Sequence, residues 1–118
     1  MTAMSARDPI EPSGGPRYVA LVSTRAKSSD PEIFCDFNAQ MTERGYLPTS
    51  GTIRDLAVLG LDLQSATGRR FVFFSDDADE YGNPDAIMHN GTIVGDDKFG
   101  HLLEIDDTGF YWRSELTD

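Results

Sequence analysis

The first third of the chain contains two apolar groups with different periodicities. Residues 17–23, RYVALVS, are apolar at successive positions, as in a strand that is buried on both faces. The second group has helical spacing, between Asp30 as a possible N-cap and Gly45 as a stop. Its apolar stripe is formed by Ile33, Phe34, Phe37 and Met41. We therefore expect a strand at 17–23 and a helix at 31–44.

The pattern between residues 52 and 65 is ambiguous. A helix that begins at Thr52 would place Leu56 on its inner face, but leucines at 59, 61 and 63 alternate with glycine and polar residues. The favoured interpretation is a short turn or helix near 53–57, followed by a hairpin. Its strands would span about 58–65 and 69–75. A continuous helix over 52–65 is the alternative.

The second half has strand periodicity separated by turn residues. Asn90-Gly91 lies between AIMH and TIVG, and this dipeptide favours a two-residue hairpin turn. The segment DDKFG then leads into a strand HLLEI, and DDTG turns into FYWRS. Gly109 suits the left-handed position of that last turn. Three consecutive short connections predict a meander.

Together these elements indicate an α+β fold. An N-terminal strand and one helix are followed by a mainly antiparallel meander of about six strands. The meander forms either an open sheet or a small barrel. Residues 1–15 are rich in proline and glycine, so we expect a disordered leader there and a single α+β domain over 16–118.

Composition favours a cytoplasmic protein. Cys35 is the only cysteine, so no intrachain disulfide forms, and its apolar surroundings predict a buried, inert thiol. No segment approaches the roughly 18 apolar residues of a membrane span. The N-terminus also lacks the apolar stretch of a signal peptide.

The net charge of −10 is concentrated in one half of the chain. Residues 60–118 contain four Lys or Arg and thirteen Asp or Glu, which gives that half a charge of −9. Direct binding to nucleic acid requires a basic surface, so it is not expected. An acidic face suits a basic partner protein or, more simply, solubility.

The densest acidic stretch follows the apolar segment FVFF and spans residues 76–85. As a calcium loop that begins at Asp77, it places Tyr81 and Met88 where oxygen ligands are required. An acid/base pair would need a buried carboxyl, for which Asp76 is the best candidate. A solvated loop is the simplest interpretation, and we expect no cofactor and no metal there.

Two other groups of residues are candidate sites. His89 and His101 could join Asp96 or Asp97 at zinc, but their spacing does not require it. The strand FYWR alternates, so Phe110 and Trp112 share one face, opposite the side chains at 111 and 113. Aromatic residues and arginine dominate binding hot spots.

The resulting hypothesis is a small, acidic, cytoplasmic protein-binding module. It is of the inhibitor or immunity type and engages a basic surface of a partner protein. The alternatives are a small metal-dependent or acid/base enzyme that uses the loop at 76–85, and a structural or assembly subunit. The sequence leaves the oligomeric state open. The expected partner-binding residues are Asp76, Asp77, Asp79, Glu80, Tyr81, Asp85, Asp96, Asp97, Tyr111 and Arg113.

Overall fold

The computed structural model describes residues 25–78 and 80–117. The expected leader at 1–15 and the expected strand at 17–23 lie outside these residues. In chain order the elements are β1 (Arg25–Ala26), β2 (Glu32–Phe34), β3 (Gly45–Tyr46), α1 (Ser50–Val58), α2 (Leu63–Ala66), β4 (Arg70–Ala78), β5 (Pro84–Asp96), β6 (Gly100–Ile105), β7 (Tyr111–Trp112), a 3-10 turn (Arg113–Glu115) and β8 (Leu116–Thr117).

The chain divides into two compact units. In the smaller one, β1 pairs with β8 in parallel, with Leu116 opposite Arg25. The larger unit spans Ser28–Ser114 and contains both helices and the main sheet. That residues 16–118 form a single domain stays a prediction.

The main sheet has six strands in the order β2-β4-β5-β6-β3, and β7 also pairs with β5. The β2–β4 pair is parallel, and all other pairs in this sheet are antiparallel. The α+β expectation is therefore confirmed, and the sheet is open rather than closed into a barrel. The expected strand at 69–75 is confirmed as β4.

The main core lies on one face of this sheet. Phe71 and Phe73 alternate along β4 and are fully buried, and α1 contributes Leu56. The buried residues of this cluster are Ile33, Cys35, Tyr46, Leu56, Ala66, Phe71, Phe73, Ile93 and Leu103. Val72, Ala86, Met88, Leu102 and Tyr111 are buried outside it. Burial raises the pKa of the Cys35 thiol, in agreement with the expected inert cysteine.

The helix predicted over 31–44 is wrong. Ile33 and Cys35 are both fully buried with Phe34 only partly buried between them, which is strand alternation. β2 pairs with β4, and the chain then turns at Asp36, whose carboxylate accepts a hydrogen bond from the Asn38 amide at 2.9 Å. Pairing with the apolar β4 outweighs the helical spacing of the stripe, because tertiary contacts override local propensity.

Helices span Ser50–Val58 and Leu63–Ala66, so the short helix expected near 53–57 is confirmed and the hairpin strand expected at about 58–65 is wrong. α1 begins earlier than expected, with Thr49 as its N-cap. It ends at Val58, and just beyond it Gly60 has a φ of 76° and the Leu61 amide donates a hydrogen bond to the Leu56 carbonyl at 2.9 Å. This C-terminal motif breaks what would otherwise be the continuous helix of the alternative interpretation.

The predicted Asn90-Gly91 turn is also wrong. Both residues lie inside β5, which runs for 13 residues without interruption. A Cβ atom on Gly91 would lie 2.2 Å from the Glu104 carbonyl oxygen and 2.5 Å from Phe73 Cε2. Glycine is therefore needed at this position for close approach of neighbouring atoms, not for a turn.

The remaining turns agree with the sequence. The Asp96 carboxylate accepts hydrogen bonds from the Lys98 and Phe99 amides, at 3.0 and 2.9 Å, and closes the turn into β6. Gly109 has a φ of 89°, which confirms the left-handed position before β7.

Candidate functional site

An acidic surface lies at the end of the β4–β5 hairpin. The exposed residues Asp76 and Asp77 lie near the end of β4, and Asp77 lies opposite Asp85 on β5. Glu80 and Tyr81 follow in the connection, and Tyr81 is 82% exposed. We call these five residues the acidic end. Asp79, which the sequence assigned to the same surface, lies outside the described residues.

Asp85 is the most firmly held carboxylate of the acidic end. Its Oδ2 accepts a hydrogen bond from the Ser114 hydroxyl at 2.6 Å, and its Oδ1 accepts one from the Ser114 amide at 3.1 Å. The Ser114 hydroxyl, together with backbone amides and the nearby charge of Arg113, lowers the pKa of Asp85. A general acid needs a raised pKa, so these contacts keep Asp85 ionised instead.

A cleft of about 350 Å³ opens beside these carboxylates. It is lined by Glu80, Tyr81, Asp85, Trp112 and Ser114. Trp112 reaches the cleft because β7 pairs with β5, with Trp112 opposite Ile87. The cleft therefore combines two carboxylates with two aromatic rings. Sequence reasoning placed the FYWR strand near the acidic loop but did not select Trp112 or Ser114.

Tyr111 and Arg113, the other two residues expected from that strand, make internal contacts. Tyr111 is buried, and its hydroxyl donates a hydrogen bond to the Asn90 side-chain oxygen. The Arg113 guanidinium is 2.5 Å from Glu32 and packs 5.1 Å from the centre of the Phe74 ring. These contacts join the strands of the sheet.

Asp96 and Asp97 lie far from the acidic end. Asp85 and Asp96 are at opposite ends of β5, eleven residues apart. At about 3.3 Å per residue, the distance between them is about 35 Å. The two acidic loops that were expected to form one surface are therefore not brought together.

The two histidines are also separated. His89 is buried, and its Nδ1 lies 2.9 Å from the Asn90 carbonyl, to which it donates a hydrogen bond. His101 lies opposite Gly95, near the far end of β5. Among the residues that the structure describes, no three His, Cys, Asp or Glu side chains are grouped to hold a metal ion.

A second cleft, of about 440 Å³, lies on the other side of β4. It is lined by Phe34, Asp36, Thr49, Ser50, Gly51, Arg54, Asp55, Phe74 and Asp76. Three of these residues are aspartates and two are phenylalanines whose rings meet edge to face, 6.0 Å apart. Because the lining comes from β2, the start of α1 and the end of β4, no local sequence pattern indicates this cleft.

Comparison with protein-family models, curated proteins and solved structures found no match. Within the described ranges, no helix is both long and apolar enough to cross a membrane. Function is therefore inferred from the geometry of the acidic end.

Proposed function

We propose that this chain is a small cytoplasmic protein-binding module whose acidic end engages a basic surface of a partner protein, as an inhibitor or immunity-type protein does. The observation that carries the proposal is the pairing of carboxylates and aromatic rings in one cleft, between Glu80, Asp85 and Trp112. A single, buried cysteine is compatible with the reducing cytoplasm.

Charge supports this choice of partner. The chain has a net charge of −10, and Asp76, Asp77 and Glu80 are all exposed at one end of the hairpin. A field of one sign attracts a basic protein from a distance and accelerates association, and this effect weakens as salt screens it. Tight binding would then come from the side chains that become buried on contact.

The cleft suits a lysine or arginine side chain. Its cationic head would lie near the carboxylates of Glu80 and Asp85, and its alkyl stem or guanidinium plane would pack on Trp112 or Tyr81. Asp85 already has Ser114 as a hydrogen-bond donor, so its position is fixed before a partner arrives. Such preorganisation reduces the entropy lost on binding.

The test uses two variants with the same change of charge. Asp77→Asn with Glu80→Gln removes two charges from the acidic end, whereas Asp97→Asn with Glu43→Gln removes two exposed charges elsewhere. Each variant and the unmodified protein would be immobilised and exposed to a lysate of the native host. A protein retained by the unmodified chain would be purified, and its association rate measured from 20 to 500 mM salt.

We expect the first variant to slow association at low salt at least tenfold, and the second to change it less than threefold. We also expect the rate for the unmodified protein to fall steeply with salt. An association rate that is independent of salt, or equal losses in the two variants, would contradict an electrostatic contact at the acidic end.

A further inference from the structure

The outer edge of β4 is only partly covered by the described residues. β2 pairs with Val72–Phe74, and the Cys35 amide adds a last bond to the Phe74 carbonyl at 2.8 Å. The chain then turns away at Asp36. Past this point, no described strand pairs with the outer edge of β4, and Asp76–Ala78 is exposed to solvent.

The direction of the backbone groups on this edge follows from the hydrogen bonds before it. The Val72 amide and the Phe74 carbonyl point toward β2. Since these groups alternate from residue to residue along a strand, those of Asp76 and Ala78 point to the same outer edge. The Ala78 amide bonds to the Asp77 side chain at 2.8 Å, as an outward amide without a paired strand does.

Helix α1 covers the outer edge of β2, the strand next to β4. Asp55 on this helix accepts a hydrogen bond from the Phe34 amide at 2.9 Å, and the Thr52 hydroxyl donates one to the Phe34 carbonyl at 2.8 Å. Covering an edge with a helix prevents pairing with other chains. That cover ends at Phe34, and the second cleft begins there, between the start of α1 and the segment Phe74–Asp76.

We propose that Asp76–Ala78 and the second cleft form a docking site for an extended, lysine- or arginine-bearing segment of the partner, which adds a strand to the outer edge of β4. This inference rests on the proposed function and names its mode of binding. Main-chain bonds to Asp76 and Ala78 supply affinity, as in other strand additions. A basic side chain enters the cleft between Asp36 and Asp76.

Charge distinguishes a basic segment from a second copy of this chain. Two copies joined along this edge would bring Asp76 and Asp77 of one close to the same residues of the other, and like charges on adjacent strands destabilise pairing. The cleft itself is lined by three aspartates and one arginine, Arg54, so its net charge is negative and suits a basic side chain.

The test uses three synthetic seven-residue peptides with blocked ends. The first alternates lysine and valine, the second replaces each lysine with glutamate, and the third is the lysine peptide with alternate backbone amides methylated. Fluorescence anisotropy gives the dissociation constants, and hydrogen exchange of the Asp76 amide reports strand pairing. On the protein side, Asp76→Asn is compared with the matched variant Asp97→Asn, and Ala78→Pro removes an outward amide without a change in charge.

We expect the lysine peptide to bind at least tenfold more tightly than the other two and to slow exchange of the Asp76 amide. Asp76→Asn and Ala78→Pro should each weaken it at least threefold, with no effect of Asp97→Asn. Equal binding of the methylated peptide, or unchanged exchange at Asp76, overturns strand addition even where charge-dependent binding remains. A dimer of the protein alone that Ala78→Pro dissociates also overturns it. If the partner isolated from the lysate associated with the unmodified protein at a rate independent of salt, that result would instead contradict the proposed function.

Discussion

At the scale of single residues, tertiary contacts determine the conformation of residues whose local sequence is ambiguous. Asn90-Gly91 has the composition of a hairpin turn, yet it lies inside β5. Gly91 lies opposite Phe71 on β4 and Ile105 on β6, and its missing side chain leaves room for the Phe73 ring and the Glu104 carbonyl. The glycine is therefore required by its neighbours in space.

Gly91→Ala tests this requirement. The added Cβ would meet a carbonyl oxygen at 2.2 Å and a ring carbon at 2.5 Å, so neighbouring strands must shift. We expect a loss of at least about 3 kcal/mol in the free energy of unfolding, the upper end of the range for overpacking. Urea unfolding monitored by the fluorescence of Trp112 would measure it.

Gly95→Ala is the matched control on the same strand. A Cβ atom at Gly95 has no other atom within 4 Å. This substitution should be neutral, or should stabilise the protein by up to about 1 kcal/mol through the unfolded chain. Similar losses of unfolding free energy in the two variants would show that close packing does not require glycine at residue 91.

At the scale of elements, one side chain connects α1 to the edge of the sheet. Thr52 is fully buried, and its hydroxyl donates a hydrogen bond to the Phe34 carbonyl at 2.8 Å. The same oxygen accepts one from the Thr49 amide at 3.1 Å, at the helix N-cap. Thr52 thus stabilises both the start of α1 and its contact with β2.

Thr52→Val keeps the shape of the side chain and removes both hydrogen bonds. The Phe34 carbonyl and the Thr49 amide then lose a partner, which costs about 1–3 kcal/mol of unfolding free energy. Thr67→Val is the control, since its exposed hydroxyl only bonds to the Leu63 carbonyl, and we expect a change within about 0.5 kcal/mol. Thermal and urea unfolding would both report the difference, and equal effects at the two sites would contradict the role of Thr52.

The sequence predicts elements well where the evidence is local. The apolar run at residues 71–74 predicts β4, and the turn before FYWRS predicts the positive φ of Gly109. The sequence prediction fails where contacts between distant segments determine the structure. Residues 32–34 have helical spacing, but they form β2, which pairs with β4. The acidic end could be predicted because its charged residues lie close together in the sequence. The second cleft was not, because its lining is assembled from three elements.

At the scale of the whole molecule, arginines pair with carboxylates on one surface of the main sheet. Arg70 lies 2.6 Å from Asp106, and Arg44 lies 2.5 Å from Asp107. Both pairs line one open cleft, together with Thr92, Glu104, Ile105 and Thr108. Each arginine in this cleft is already paired with a carboxylate, so the cleft is not a site for an anion.

Asp106, the partner of Arg70, makes the stability of the fold depend on pH. Partial burial acts to raise its pKa, but hydrogen bonds from Arg70 and Thr108 outweigh burial and lower the pKa to about 2. In the unfolded chain the pKa of an aspartate is about 3.9, so the folded state holds the ionised form more strongly. The stabilisation is therefore complete above about pH 4 and is lost as the pH falls toward 2.

Asp106→Asn should remove this contribution. The lowered pKa corresponds to about 2–3 kcal/mol by linkage, and solvent around the partly exposed Arg70 reduces it, so we expect the variant to be less stable at pH 7 by up to about 2 kcal/mol. Below pH 4 the difference should shrink, because the unmodified protein also loses the charge of Asp106. Urea unfolding at pH 7, 5, 4, 3 and 2.5 would follow the two curves, with Asp97→Asn as the control at an exposed site. A constant difference down to pH 2.5 would show that Asp106 stabilises the fold by contacts that do not depend on its charge.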